Sequence, residues 1–298
     1  MGSSSGSRTQ AGLSSLVVVL LAAGALDAAA LEVIISTDVS CIDNGTIMDA
    51  DGGPAIPSAH CEYSVNRTGI FRRVGNATAD AAANAGFRSV GVLATAHAAL
   101  DTNLPNNFGG RASARAELRD VFIMDARQAN GTPVLAGHLS VNLATTGLVM
   151  LTGDGQADLS EATLQYTIVV GGGGMTDLVQ SFLGEPPQPV TAILPPIVVP
   201  WQAGLPIDIV MSAFASVDAN LTFTGWVDVS ADFGSTLRWL GISDVVDANG
   251  LPVASFTALS PDGADWGSFA PVPIPGAGVL LASALGILGW SVRARRRE

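Results

Sequence analysis

Residues 205–214 read LPIDIVMSAF, and the order of apolar and polar side chains in this stretch decides the fold. Ile207, Ile209 and Met211 fall on alternate positions, with Asp208 and Ser212 between and beyond them, a period of two rather than 3.6. The same reading holds for LTFTGWVDV at 221–229 and TLQYTIVV at 163–170. Such alternation suits antiparallel strands with one face against a core and one in water. Asn-Gly pairs at Asn44, Asn130 and Asn249 provide the left-handed turn residues of hairpins. The expectation is an all-β, antiparallel β-sandwich, jelly-roll-like, spanning 31–268. One helix is expected, around Met175 to Leu183, with Asp177 near its start.

Working outward, the chain carries one internal match. LRDVFIMDARQANGTPV at 118–134 aligns without gaps onto LRWLGISDVVDANGLPV at 237–253, an offset of 119. AALDTNL at 98–104 matches ASVDANL at 215–221 at an offset of 117. Two similar β units are therefore expected at 86–144 and 204–262, each a strand, an Asn-Gly turn and a return strand beginning at Pro-Val. Between them, 171–203 is rich in glycine and proline and reads as a connector. Its GGGG lacks the Lys and Ser/Thr of a phosphate loop.

The two ends differ from the body. Arg8, the apolar stretch from Leu13 to about Leu26 and the small residues Ala28 to Ala30 fit a secretory signal peptide over 1–30. Without that segment and the tail, nine arginines stand against twenty-four acidic residues, a net of about -15. The chain has no lysine, and its formal charge of -12 argues against nucleic acid, whose phosphates need a basic face. Cys41 and Cys61, the only cysteines, favour one structural disulfide in an exported chain over a redox pair, which would want a close C-x-x-C. Closing that loop restricts the unfolded chain by about 3 kcal/mol.

At the other end, Ala277 to Val292 is a mostly apolar run of about 24 Å as a helix. Arg293, Arg295, Arg296 and Arg297 follow at once and mark a cytoplasmic end. Upstream, Pro271, Pro273 and Pro275 favour an extended backbone. Val272-Pro273-Ile274-Pro275, Gly-Ala-Gly, the apolar run and the arginine cluster together resemble the PEP-CTERM sorting signal, in its Val-Pro-x-Pro variant. The resemblance covers 271–298, with the membrane segment at 277–292. Ile274 stands where the name-giving motif has Glu.

That resemblance implies a Gram-negative source, export and a transient helical anchor in the inner membrane. It further implies cleavage by an exosortase-type enzyme and a place at the cell surface or in the exopolysaccharide of a biofilm matrix. A plain C-terminal anchor is the alternative.

Chemistry is sparse in the body. His60, His97 and His138 are far apart and share no ligand spacing. The G-x-S-x-G at 2–6 precedes the signal peptide's apolar run and lacks a strand–turn–helix setting. No catalytic motif is visible. The loop IDNGTIMDADGG at 42–53 offers Asp43, Asn44, Asp49 and Asp51 as hard oxygen ligands for Ca²⁺, against the simpler reading of a solvated, turn-rich loop. Asn-x-Thr at Asn44, Asn66, Asn76, Asn130 and Asn220 reads as turn chemistry in a bacterial protein. Trp201, Trp226, Trp239 and Trp266 are expected mostly in the core, where aromatics more often sit than on a sugar-stacking face. The functional expectation is a structural or binding protein of the matrix. A secreted polysaccharide hydrolase and a calcium-dependent adhesin are the rivals.

Overall fold

The computed structural model describes residues 31–267 apart from 45, 71, 103–104, 155–159, 183–184 and 191. The stretches expected to be a signal peptide at 1–30 and a sorting tail at 271–298, with Val272, Pro273, Ile274, Pro275 and the arginine cluster, lie outside the described residues.

In chain order the first strands are β1 (Glu32–Asp43), β2 (Thr46–Pro54), β3 (Ser58–Arg67), β4 (Arg73–Gly86), β5 (Ser89–Thr102) and β6 (Phe108–Arg127). The middle of the chain forms β7 (Pro133–Val134), β8 (Ala136–Thr145), β9 (Leu148–Gly153), β10 (Glu161–Val170), β11 (Gly173–Phe182) and β12 (Gln188–Pro189). The last are β13 (Ala192–Ile193), β14 (Ile197–Gln202), β15 (Pro206–Leu221), β16 (Gly225–Asp247) and β17 (Ser255–Leu259). The fold is all-β, two antiparallel sheets packed as a sandwich. The first sheet runs β11-β10-β15-β6-β1-β2, with β7 and β17 also on β6. The second runs β12-β9-β16-β5-β4-β3, and β8 joins it through β16 while pairing β13 and β14.

Strand β15 shows how the alternation positions the faces. Ile207, Ile209, Met211, Ala213, Ala215 and Val217 are buried between the sheets. Asp208, Val210, Ser212, Phe214, Ser216 and Asp218 occupy the opposite phase. The core itself has two textures. Along β4, β5 and β6 it is lined by alanines, among them Ala79, Ala81, Ala94, Ala96, Ala114 and Ala116. The backbones approach closely there: a Cβ on Gly110 of β6 would lie 2.6 Å from the Thr78 carbonyl oxygen of β4. Elsewhere the space is filled by Trp239, Trp266, Phe122, Phe233, Leu139 and Leu164. Small residues where the sheets are close and large ones where they are not give the dense packing a single native state needs.

One expectation needs correction. Where a helix is expected around Met175 to Leu183, the residues up to Phe182 belong to strand β11, paired with β10 from Val170↔Gly173 to Glu161↔Phe182. The glycine run is the reason. Gly171 and Gly172 take φ of +52° and +84° and close a two-residue hairpin, which returns the chain along β10 rather than starting a helix. Asp177 then sits beside Tyr166, whose hydroxyl donates to it at 3.3 Å. Within 171–203, β14 pairs with β8 from Ile197↔Val141 to Gln202↔Ala136.

The stretches aligned at an offset of 119 fall on β6 and β16, one in each sheet. β6 lies between β15 and β1, and β16 lies between β5 and β9. Gly131 and Gly250 take φ of +81° and +78°. The Gly131 N–H donates to the Gln128 carbonyl at 2.8 Å, and the Gly250 N–H to the Asp247 carbonyl at 2.9 Å. These two turns also touch, since Gln128 Nε2 donates to Asp247 Oδ2 at 3.3 Å.

The C-terminal end of the body is held by Trp266, which is fully buried. Its Nε1–H donates to Asp120 Oδ2 at 2.7 Å, and its carbonyl accepts from Trp239 Nε1 at 2.8 Å. Its ring meets Trp239 and Phe87 edge to face, at centroid distances of 5.0 and 4.8 Å.

Candidate functional site

The polar phase of the first sheet's alternation forms its outer face, and an open groove of about 780 Å³ lies on that face. Its floor is a set of cross-strand rows. One row runs Ser40 on β1, Arg111 on β6, Asp218 on β15 and Glu161 on β10, with Ala50 of β2 at its end. The next runs Asp38, Ser113, Ser216 and Thr163 from the same strands. Outside the groove, on the same face, a third row brings Arg115, Phe214, Gln165 and Leu178 into line. Each row crosses strands about 4.8 Å apart, so the five-strand floor spans about 19 Å. Ser40, Ser113 and Ser216 present short hydroxyl groups along it, and the exposed ring of Phe214 adds an apolar surface farther along the same face.

Charge on this floor is uneven. Arg111 pairs with Asp218 at 2.7 Å. Burial pushes the Asp218 carboxyl above its ordinary value; Arg111 opposes the rise and Glu161 adds to it. Burial also raises Asp38. Beyond the third row, Glu117 is clasped between Arg115, at 2.7 Å, and Arg119. Burial pushes Glu117 up, but the hydrogen bonds and charges of the two guanidiniums outweigh it and hold this carboxyl below the usual range.

The outer face of the second sheet carries two cross-strand pairs, His60–Asp80 and His97–Asp228, each at 2.6 Å. The hydrogen bond to Asp80 raises the His60 pKa, burial opposes the rise, and the charges of Asp80, Glu62 and Asp49 add to it. The third histidine, His138, is exposed on β8. Trp226 is 43% exposed on this face, whereas Trp201, Trp239 and Trp266 are at 4% or below and belong to the core.

The residues singled out from the sequence are placed as follows. Cys41 and Cys61 are bonded, joining β1 of one sheet to β3 of the other with Cα atoms 6.0 Å apart. Asp43 is buried against Arg73 and accepts from the Tyr63 hydroxyl at 3.0 Å and Asn106 Nδ2 at 3.4 Å. Asn44 forms the turn after it, at φ +52°. Asp49 and Asp51 lean toward the neighbouring sheet and accept from the backbone N–H groups of Glu62 (3.1 Å) and His60 (3.5 Å) on β3. The loop's carboxylates thus act on Arg73, Tyr63, Asn106 and the β3 backbone. Among the described residues, no three His, Cys, Asp or Glu side chains are grouped so as to hold a metal ion.

Sequence reasoning misses the groove. Its signal is present as polar residues two apart, in Asp38-x-Ser40, Arg111-x-Ser113-x-Arg115, Ser216-x-Asp218 and Glu161-x-Thr163. What joins them is strand order, which the spacing within each strand does not carry. Compared with known protein families and with curated proteins, the chain matches none.

Proposed function

We propose that this is an exported bacterial surface or matrix protein whose body binds an extended polysaccharide in the groove of the first sheet. The observation that carries the reading is the floor of that groove: hydroxyl and charged groups from five strands, open to solvent, with the exposed ring of Phe214 farther along the same face. Polar groups fixed on strands can match the hydroxyls of a sugar chain, and an aromatic face can pack against a pyranose ring. The tail supplies the address. The motif at Val272–Pro275, the segment at 277–292 and the arginines after it favour export, a transient inner-membrane anchor and release by an exosortase-type enzyme. The same reading takes the sandwich as jelly-roll-like and the stretches at 86–144 and 204–262 as two related units.

A polysaccharide hydrolase is the reading from another class. It would use Asp218 and Glu161, which face each other across β15 and β10 with Cβ atoms about 5 Å apart, near the carboxylate spacing of retaining glycosidases. One experiment separates them. The protein is incubated with exopolysaccharide from its host, and both retention on the polymer and polymer length are measured. Binding is expected without shortening, and Ser113→Trp with Ser216→Trp should abolish it by filling the groove. Shortening of the polymer that Glu161→Gln abolishes would establish the hydrolase instead. Absence of any retention would remove the binding function.

A further inference from the structure

We propose that the polymer held in the groove is cationic: a hexosamine glycan with free amino groups, its ammonium groups seated on Asp38 and Glu161. This rests on the groove being a glycan site and adds the chemical class of the glycan. Asp38, Asp51, Asp218 and Glu161 line the groove, Asp51 accepting from the His60 backbone N–H, and Arg111 is the single cation among the lining residues. Arg111 is already neutralised by Asp218 at 2.7 Å. Among the described residues, Asp38 and Glu161 have no cationic partner. Two exposed carboxylates with no counter-charge, separated by serines, complement an ammonium-bearing chain and repel a uronate one.

The spacing argues for a polymer rather than a metal ion. Asp38 is on β1 and Glu161 on β10, three strand intervals apart, about 14 Å across the sheet. Carboxylates that far apart cannot close on one Ca²⁺, whose ligands lie within about 2.6 Å of it. They can engage successive charges on an extended chain. Ser113 and Ser216 lie between them in adjacent strands, where they can exchange hydrogen bonds with ring hydroxyls. The acidic body, with a net of about -15, draws such a polymer toward the face over a longer range, most strongly at low salt.

The test titrates the full chain, in detergent, with three oligosaccharides of equal length: glucosamine, N-acetylglucosamine and galacturonate oligomers, followed by calorimetry. The glucosamine oligomer is expected to bind at least tenfold tighter than its N-acetylated form. Asp38→Asn with Glu161→Gln should bring that ratio close to one. A control removes the same two charges elsewhere, by Asp125→Asn with Asp244→Asn, and should keep the ratio. If the control loses it too, the preference is a property of net charge and the proposal is wrong. Equal binding of the amino and N-acetylated forms, or a preference for galacturonate, overturns the cationic assignment while leaving a glycan site in place. Binding of none of the three removes both.

Discussion

Replacing Trp266 by phenylalanine should cost about 3 kcal/mol at neutral pH, and the cost should shrink in acid. The indole N–H is the side-chain donor to Asp120, which is only 4% exposed, the other donor being the Val121 backbone N–H. A hydrogen bond to a buried charged group contributes about 1.5–3 kcal/mol, and the smaller ring gives up about 1 kcal/mol of apolar burial. Burial already pushes the Asp120 carboxyl above its ordinary value, and the Val121 and Trp266 N–H groups hold the rise in check. Because the folded pKa is raised, the folded state holds this proton more tightly than the unfolded chain. Asp120 therefore favours folding below the ordinary carboxylate pKa of about 4, and that advantage is lost as pH rises through the folded value. Removing the indole donor lifts the folded pKa further, so the W266F penalty is largest where Asp120 is ionised. Urea unfolding of wild type, W266F, D120N and the double variant, at neutral pH and near pH 4, measures this directly. The W266F loss should be smaller in the D120N background than in wild type. An equal loss in both backgrounds, or a loss that does not change with pH, would refute the coupling of Trp266 to Asp120.

Two further outcomes follow from the packing and the charges. Ala114→Leu, between the sheets where the core is lined by alanine, should destabilise by about 1–3 kcal/mol, while the outward Ala82→Leu should stay within about 0.5 kcal/mol; thermal unfolding of the two distinguishes a tight core from a tolerant one. Glu117→Gln should destabilise at neutral pH, because Arg115 and Arg119 hold the Glu117 carboxyl below its unfolded value against its burial. That contribution is present above the unfolded pKa and is lost as pH falls through the folded one, so the variant and wild type should converge in denaturation curves taken in acid.

The fold class is legible because alternation is local. Ile207, Ile209 and Met211 declare a strand whatever they pair with, and all three are buried. Residues 175–183 mislead for a physical reason. MTDLVQSFL has no strict alternation, and Asp177 imitates a helix start. The structure there is dictated by Gly171 and Gly172 just upstream, which turn the chain back onto β10. The acidic loop reads as one site because its residues are close in sequence, yet Asp43 turns inward to Arg73 while Asp49 and Asp51 reach across to β3. The groove has the opposite character. Asp38, Ser113, Glu161 and Asp218 are far apart in the chain and meet only through the order β10-β15-β6-β1.

The placement of Trp266 also determines how the body would carry load. On the proposed function, a chain anchored beyond its body and bound to a polymer in the groove would be pulled from both. Force entering at Gly267 meets first a side chain wedged between Trp239 and Phe87 and tied to Asp120 on β6. Behind it, β17 is laid along the far end of the same β6, whose early residues Arg111 to Ser113 line the groove. Trp266 thus ties β6 of the first sheet to β16 of the second, and a pull at Gly267 is shared between the two sheets through one side chain.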